Sequence, residues 1–179
     1  MTNTISKIKL PPYSDFPLIS NERVLLRQIK DSDINDIVEI SYYDSKQATT
    51  IEQASEMNDR IITDYKSGNS IHWGIVDKQT HKIVGTCGYY RGFANHAGEL
   101  GCVLLPQYRG KGFMTAAMLL AINFGFNEIG LKRIWAITSQ QNQKAIQLLQ
   151  VLNFAKVKVL DYDEVEFELN PEQYINQKK

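Results

Sequence analysis

The chain has 179 residues, equal numbers of basic and acidic side chains (20 each) and 43% apolar residues. That length suits one domain rather than two and buries roughly 70% of the unfolded surface, enough for a core without disulfides or metals. The balanced charge argues against a nucleic-acid-binding face, no apolar run reaches the ~18 residues of a membrane span, and residues 1–9 lack the apolar stretch of a secretion signal. Neither nucleic acid nor membrane is therefore an expected partner, and the cytoplasm is the expected location.

Residues 1–17 are polar and punctuated by Pro11, Pro12 and Pro17, which predicts an irregular arm lying over a domain of residues 18–179. Residues 23–28, with Val24, Leu25 and Leu26, predict a short strand. Asp31, Ser32 and Asp33 offer capping oxygens, and Ile34, Ile37 and Val38 share one helical face, so a short helix follows. Residues 50–66 predict a second helix on Ala54, Met57, Ile61 and Tyr65, closed by Gly68 and Asn69. Residues 70–76 and 82–89 read as strands joined by a loop at 77–81. A turn at 91–95 leads to a strand at 99–105, and Ala117, Leu120, Ala121 and Phe124 mark a long helix ending near Gly130.

Residues 132–138 predict a strand containing Trp135. Asn142 then caps a helix whose Ala145, Leu148, Leu149 and Leu152 keep helical spacing, and Asn153 stands where a left-handed residue is expected. Residues 155–160 and 164–169 read as a last hairpin, with Pro171 expected to end regular structure. The order β-αα-βββ-α-β-α-ββ, without repeats or linkers, is that of one mixed α/β (α+β) domain. Cys87 and Cys102 both fall in strands, with no C-x-x-C and no histidine spacing suited to zinc, so they read as reduced packing residues and no metal is expected.

One turn stands out. Between the strand that ends at Leu105 and the following helix lie Pro106-Gln107-Tyr108-Arg109-Gly110-Lys111-Gly112. Glycine permits positive φ and close approach of a ligand. The N–H groups from Lys111 to Thr115, at the start of a helix, lack internal partners and suit an anion such as a pyrophosphate, with Arg109 and Lys111 adding charge. An ordinary turn with solvated cations is the plain alternative. The Walker pattern G-x-x-x-x-G-K-[ST] is absent, and the dinucleotide pattern G-x-G-x-x-G fails at Thr115.

The pattern that fits is Q/R-x-x-G-x-G/A, filled by Gln107, Gly110 and Gly112. It resembles the acyl-CoA signature of the GNAT (GCN5-related) N-acetyltransferases, and the resemblance extends from about Arg23 to Leu169. Ile83-Val84-Gly85-Thr86, Gly98-Glu99-Leu100-Gly101, Leu131-Lys132-Arg133-Ile134, and Asn142 onward to Leu152-Asn153-Phe154 follow in the family's order. This combination is most similar to the RimJ/RimL branch, the ribosomal-protein N-terminal acetyltransferases. It departs from that branch in a short last hairpin loop (Asp161-Tyr162-Asp163), in Ala145 where a serine is usual, in Asn153 for glycine, and in Leu149 where some members carry an acid tyrosine.

The resemblance implies a mostly antiparallel sheet whose fourth and fifth strands splay apart to admit acetyl-CoA as cosubstrate. Val103, Leu104 and Leu105 would meet the pantetheine arm, with the Leu104 N–H polarising the thioester carbonyl. Arg109, Gly110, Lys111, Gly112, Phe113, Met114 and Thr115 would hold the pyrophosphate, and Asn142 and Lys144 would also reach the cofactor. The acceptor is expected to be a primary amine. Neutralising an α-amino group of pKa about 8 at pH 7 costs about 1.4 kcal/mol, against about 4.6 for a lysine, so an N-terminal amine asks little of a base.

Glu99 is the expected base, with a solvated or ion-paired carboxylate as the alternative. His96, close in sequence, is a lesser candidate. Of Tyr89 and Tyr90, one is expected in the core and the other in the acceptor cleft. Trp73 and Trp135 read as core, and Glu52, Glu56 and Asp59 as a solvated face that borders the cleft in the family and would attract a cation. The favoured function is acetyl transfer to an amine, such as a protein N-terminus, by a monomer or homodimer. Acetylation of a small-molecule amine and a non-catalytic acyl-CoA-binding module are the alternatives.

Overall fold

A computed structural model describes residues 8–175. The first seven residues of the expected arm lie outside it; residues 8–18 form no helix or strand, and Ile8, Tyr13 and Phe16 pack against the core. Pro17 gives its carbonyl to the indole N–H of Trp73 at 2.9 Å. Strands β1 (Ile19–Ser20) and β2 (Val24–Arg27) pair around Asn21, whose side-chain oxygen takes the N–H groups of Arg23 and Val24 at 2.9 Å. The Asp33 carboxylate then accepts the Lys30 N–H at 2.8 Å and a two-pronged contact from Arg27, fixing the start of α1 (Ile34–Ile37).

A small hairpin, β3 (Tyr42–Tyr43) with β4 (Lys46–Gln47), separates α1 from α2 (Ile51–Lys66). The Thr50 hydroxyl caps α2 by accepting the Gln53 N–H. Strands β5 (Ile71–Asp77), β6 (Ile83–Tyr90) and β7 (Ala97–Leu104) form an antiparallel meander that leads through the glycine turn into α3 (Phe113–Phe124). Then come β8 (Arg133–Ser139), α4 (Gln143–Val151), β9 (Ala155–Val159) and β10 (Glu164–Leu169). Among the described residues the eight-stranded sheet has the order β1-β2-β5-β6-β7-β8-β10-β9, with β7–β8 its one parallel pair.

Two apolar clusters cover the sheet. The larger lies under α3 and α4, around Trp73, Tyr89, Leu100, Ile122, Ile134 and Phe167; the smaller lies under α1 and α2, around Ile29, Ile34, Ile37 and Ala54. β5 and β6 are buried along nearly their whole length because helices cover both faces there, which accounts for strands that read as continuous apolar runs. Among the described residues no helix is long and apolar enough to cross a membrane.

One expectation fails at the end of the chain. Pro171 starts a helix, α5 (Pro171–Ile175), rather than ending regular structure. Asn170 caps it: its side-chain oxygen takes the Gln173 N–H at 2.9 Å, and Gln173 returns a bond to the Asn170 N–H at 2.8 Å. Proline suits the first helical position, where its missing N–H costs nothing. The helix expected to reach Gly130 widens over Gly125–Ile129 into a π turn, with the Gly130 N–H reaching back to the Gly125 carbonyl at 3.1 Å.

Candidate active site

β7 and β8 stay together only over Ala97↔Arg133, Gly98↔Ile134 and Glu99↔Trp135. Beyond that point β7 follows β6 as far as Leu104, while β8 follows β10 as far as Ser139. A wedge opens between them, the splay that the resemblance implied. Main-chain groups alternate in direction along an antiparallel strand. The Leu105 N–H donates to the Val84 carbonyl at 3.0 Å, so the N–H and C=O of Leu104 face the wedge. The Leu104 carbonyl takes the Arg109 Nε–H at 3.2 Å. Of the three residues expected to meet a pantetheine arm, Leu104 turns its main-chain groups to the wedge, while the Leu105 amide pairs with β6 and Val103 shares that parity.

The glycine turn begins where the wedge ends. Gly110 (φ 72°) and Gly112 (φ 80°) are both left-handed and exposed, and a Cβ at either would meet nothing within 4 Å. Glycine is needed there for backbone conformation, and the concave side of the turn stays open. Phe113 points inward, 5% exposed and beneath the Arg23 guanidinium, so it offers its N–H and not its ring. The first intrahelical bond joins the Ala116 N–H to the Gly112 carbonyl at 3.1 Å. The N–H groups of Phe113, Met114 and Thr115 precede it and lack a helical acceptor. Arg109 and Lys111 are exposed beside them, with Lys111 over the Tyr108 ring. These residues fit a pyrophosphate cradle.

Asn142 sits at the start of α4, exposed, its side-chain oxygen accepting the Ala145 N–H at 3.2 Å. Lys144 is exposed in the first turn. Leu149 is buried in the larger core, so that position supplies packing and no proton donor.

The other side of the wedge is built from side chains. Tyr90 on β6 lies directly opposite Glu99 on β7, and Trp135 on β8 lies beside it. The Tyr90 ring lies across Gly101, where a Cβ would come within 2.7 Å of it. On the far side of Tyr90, His72 makes an edge contact at 5.3 Å. Both His72 ring nitrogens are buried without a hydrogen-bond partner, and burial pushes the imidazole down to about 4. Two cavities of about 20 Å³ each, room for about one water, share His72, Ile29, Asn58 and Ile61 in their walls. His72 is absent from the residues that the sequence singles out, although its alternation with Ile71 and Trp73 in a strand marks it as facing the other way.

Glu99 lies between Tyr90 and Trp135. Its side chain is 13% exposed and is paired with Arg91. Burial raises its pKa, Arg91 opposes that shift, and Glu164 and Glu166 add to it. Glu166 and Glu168 are themselves held by Arg133. His96 lies in the turn before β7 with Nδ1 buried and without a hydrogen-bond partner, while its carbonyl takes the Lys132 N–H. Of the two tyrosines, Tyr89 is the one in the core, fully buried with its hydroxyl donating to the Ala121 carbonyl at 2.9 Å, which leaves Tyr90 on the face of Glu99. The expectation for Trp135 is corrected. Trp73 is core, but Trp135 is only partly buried, because it shares the face of Glu99. Glu52, Glu56 and Asp59 are exposed on α2.

Comparison with known proteins agrees with this geometry. Residues 23–155 match the acetyltransferase (GNAT) domain family. The uncharacterized N-acetyltransferase YoaA of Bacillus subtilis is 31% identical over 153 residues, covering 81% of this chain and 86% of that protein. The spermidine N(1)-acetyltransferase of Escherichia coli K12 is 35% identical over 78 residues, 44% of this chain and 37% of that one. Among solved structures, a Vibrio cholerae protein assigned as a ribosomal-protein-serine acetyltransferase superposes with TM-score 0.75 at 17% identity, covering 86% and 97% of the two chains. Mutant forms of the spermidine/spermine N-acetyltransferase SpeG of Vibrio cholerae give TM-score 0.73 at 19% identity, covering 89% and 100%.

Proposed function

This chain belongs to the GNAT acetyltransferase family and is an N-acetyltransferase; on that premise we propose that it acetylates an α-amino group, such as a protein N-terminus, with Glu99 as the base. We take residues 18–179 as the catalytic domain, place it beside the RimJ/RimL branch and in the cytoplasm, and regard 1–17 as its arm. Acetyl-CoA, the family's cosubstrate, supplies an acetyl group on a thioester. The turn from Arg109 to Thr115 binds its pyrophosphate through main-chain N–H groups and two cations. The Leu104 N–H, turned toward the wedge, polarises the thioester carbonyl. Asn142 and Lys144 flank the cofactor from α4.

Glu99 takes the proton of the incoming ammonium, and the freed amine attacks the thioester carbonyl carbon; the C–S bond breaks, CoA leaves as the thiolate, and the thiolate takes up the proton that the nitrogen sheds on becoming an amide. Tyr90 and Trp135 wall the acceptor path on either side. The observation that carries this reading is the Glu99 carboxylate: its side chain, 13% exposed, stands at the last position where β7 and β8 still pair. A carboxylate whose pKa burial raises suits an acceptor whose neutralisation costs about 1.4 kcal/mol better than one costing about 4.6.

A second reading, a polyamine acceptor, is favoured by one observation: Glu52, Glu56 and Asp59 stand unshielded on α2. The same test separates the two. Purified protein is assayed for thiol release from acetyl-CoA with peptides bearing a free N-terminus, with spermidine and with aminoglycosides. The expected acceptor is the peptide, and Glu99→Gln is expected to lower kcat about 100-fold and remove the acid limb of its pH profile. An unchanged profile in Glu99→Gln would exclude Glu99 as base, and faster turnover with spermidine would install the second reading.

A further inference from the structure

The ion pair at Glu99 is lopsided. The Arg91 side chain is 65% exposed and that of Glu99 13%. Nη1 of Arg91 donates to Oε1 at 3.3 Å and stands 3.2 Å from Oε2, yet Oε2 is buried with no hydrogen bond. This is a long contact made from outside. Releasing it costs Arg91 little, since its guanidinium passes into water. Glu99 has no such option: an ionised carboxylate left in a desolvated position is costly until another cation replaces the first.

The surroundings leave one place for that cation. Tyr90 faces Glu99 from β6, and Glu164 and Glu166 act on it from β10. On β8, Arg133 is tied to Glu166 and Glu168 and so is committed elsewhere. His96 lies three residues earlier, in the turn before β7. The position that Arg91 fills is therefore the one at which an incoming ammonium meets the carboxylate.

We infer that Arg91 is a displaceable placeholder: the acceptor's ammonium group takes over its position on Glu99, so the pair selects acceptors that arrive as cations. This rests on the reading above only in placing Glu99 at the acceptor cleft; it holds whether or not Glu99 then removes the proton. If it does, R–NH3⁺ and the carboxylate become R–NH2 and the carboxylic acid, and Arg91 is free in solvent while the proton is held.

The test titrates the CoA-saturated protein with 1,4-diaminobutane, a plain dication, and follows its binding by NMR. Arg91→Ala is expected to tighten binding three- to tenfold, Arg91→Lys to restore the wild-type value, and Glu99→Gln to weaken binding and abolish the effect of Arg91→Ala in the double variant. Arg91→Ala should also move the acid limb of kcat/KM to higher pH, since the cation that opposes the raised Glu99 pKa is gone. Unchanged or weaker diamine binding in Arg91→Ala, or no binding at all, overturns the inference. Full kcat in Glu99→Gln, with the diamine results as expected, would instead remove the base and keep the placeholder.

Discussion

The two sides of the wedge are made of different materials. On the side proposed for the cofactor, the turn from Arg109 to Thr115 presents main-chain N–H groups and two left-handed glycines, all within one short stretch. On the side proposed for the acceptor, His72, Tyr90, Glu99 and Trp135 come from four strands and meet only through register. A site built from backbone tolerates changes in its side chains and fails when its conformation changes. A site built from side chains on a sheet behaves the other way, because each group depends on what its neighbours leave unpaired. The Arg91–Glu99 pair and the orphaned nitrogens of His72 are both features of the second kind.

The sharpest way to break the comparison is at the glycines. Gly110→Asp with Gly112→Asp puts two residues into left-handed backbone, at about 1–2 kcal/mol each, and sets negative charge against a diphosphate. CoA affinity by calorimetry should fall at least 1000-fold, with an unchanged circular dichroism spectrum because no packing is disturbed. Retained affinity would mean that the backbone cradle is not the binding site.

On the acceptor side the corresponding quantity is pH-dependent stability. His72 has a folded pKa near 4 against an ordinary value of 6.5. Between those values the unfolded chain binds a proton that the folded chain refuses, so stability should drop as pH falls from about 6.5 to 4, by on the order of 3 kcal/mol. His72→Phe should flatten that drop in urea-unfolding midpoints. A wild-type curve already flat across this window would show that His72 finds a partner.

Smaller effects sharpen the boundary between the two sides. Asn142→Ala should cost about 1 kcal/mol of stability through its lost cap on α4; CoA affinity falling alongside would place Asn142 on the cofactor, and unchanged affinity would leave it a cap alone. Tyr89→Phe removes the bond to the Ala121 carbonyl and should cost about 1 kcal/mol with kcat/KM unaltered. Altered acceptor kinetics there would return Tyr89 to the cleft. Asn153→Gly, at φ 61°, should change the thermal midpoint least, by the equivalent of a few tenths of a kcal/mol in favour of the variant.

Most of the local structure was legible in the sequence because it is written in short-range terms. The capping residue Asn142, the glycines of the turn before α3 and the left-handed Asn153 each act within about one turn of chain, whereas Thr50, read as the first helical residue, caps α2 instead. The failure at Pro171 was of the same kind and recoverable, since Asn170 and Gln173 spell a capping box around it. Tyr89 against Tyr90 was a coin with two known faces, and only tertiary packing decided which ring went inward; the π turn sets Gly125 under the Tyr89 hydroxyl, where any Cβ would collide with it.

By itself, then, the sequence determined the order of the main strands and helices and the glycine turn through spacing along the chain, and the family through the motifs it resembles, while the short β1, the β3–β4 hairpin and α5 were missed. Tertiary structure alone decided that the Leu105 amide belongs to β6, that Trp135 shares the face of Glu99, and that an exposed arginine stands on a half-buried glutamate. The physical reason is reach: hydrogen bonds along a helix or turn join residues a few positions apart, whereas the acceptor side depends on strand register, in which one step moves every side chain to the opposite face.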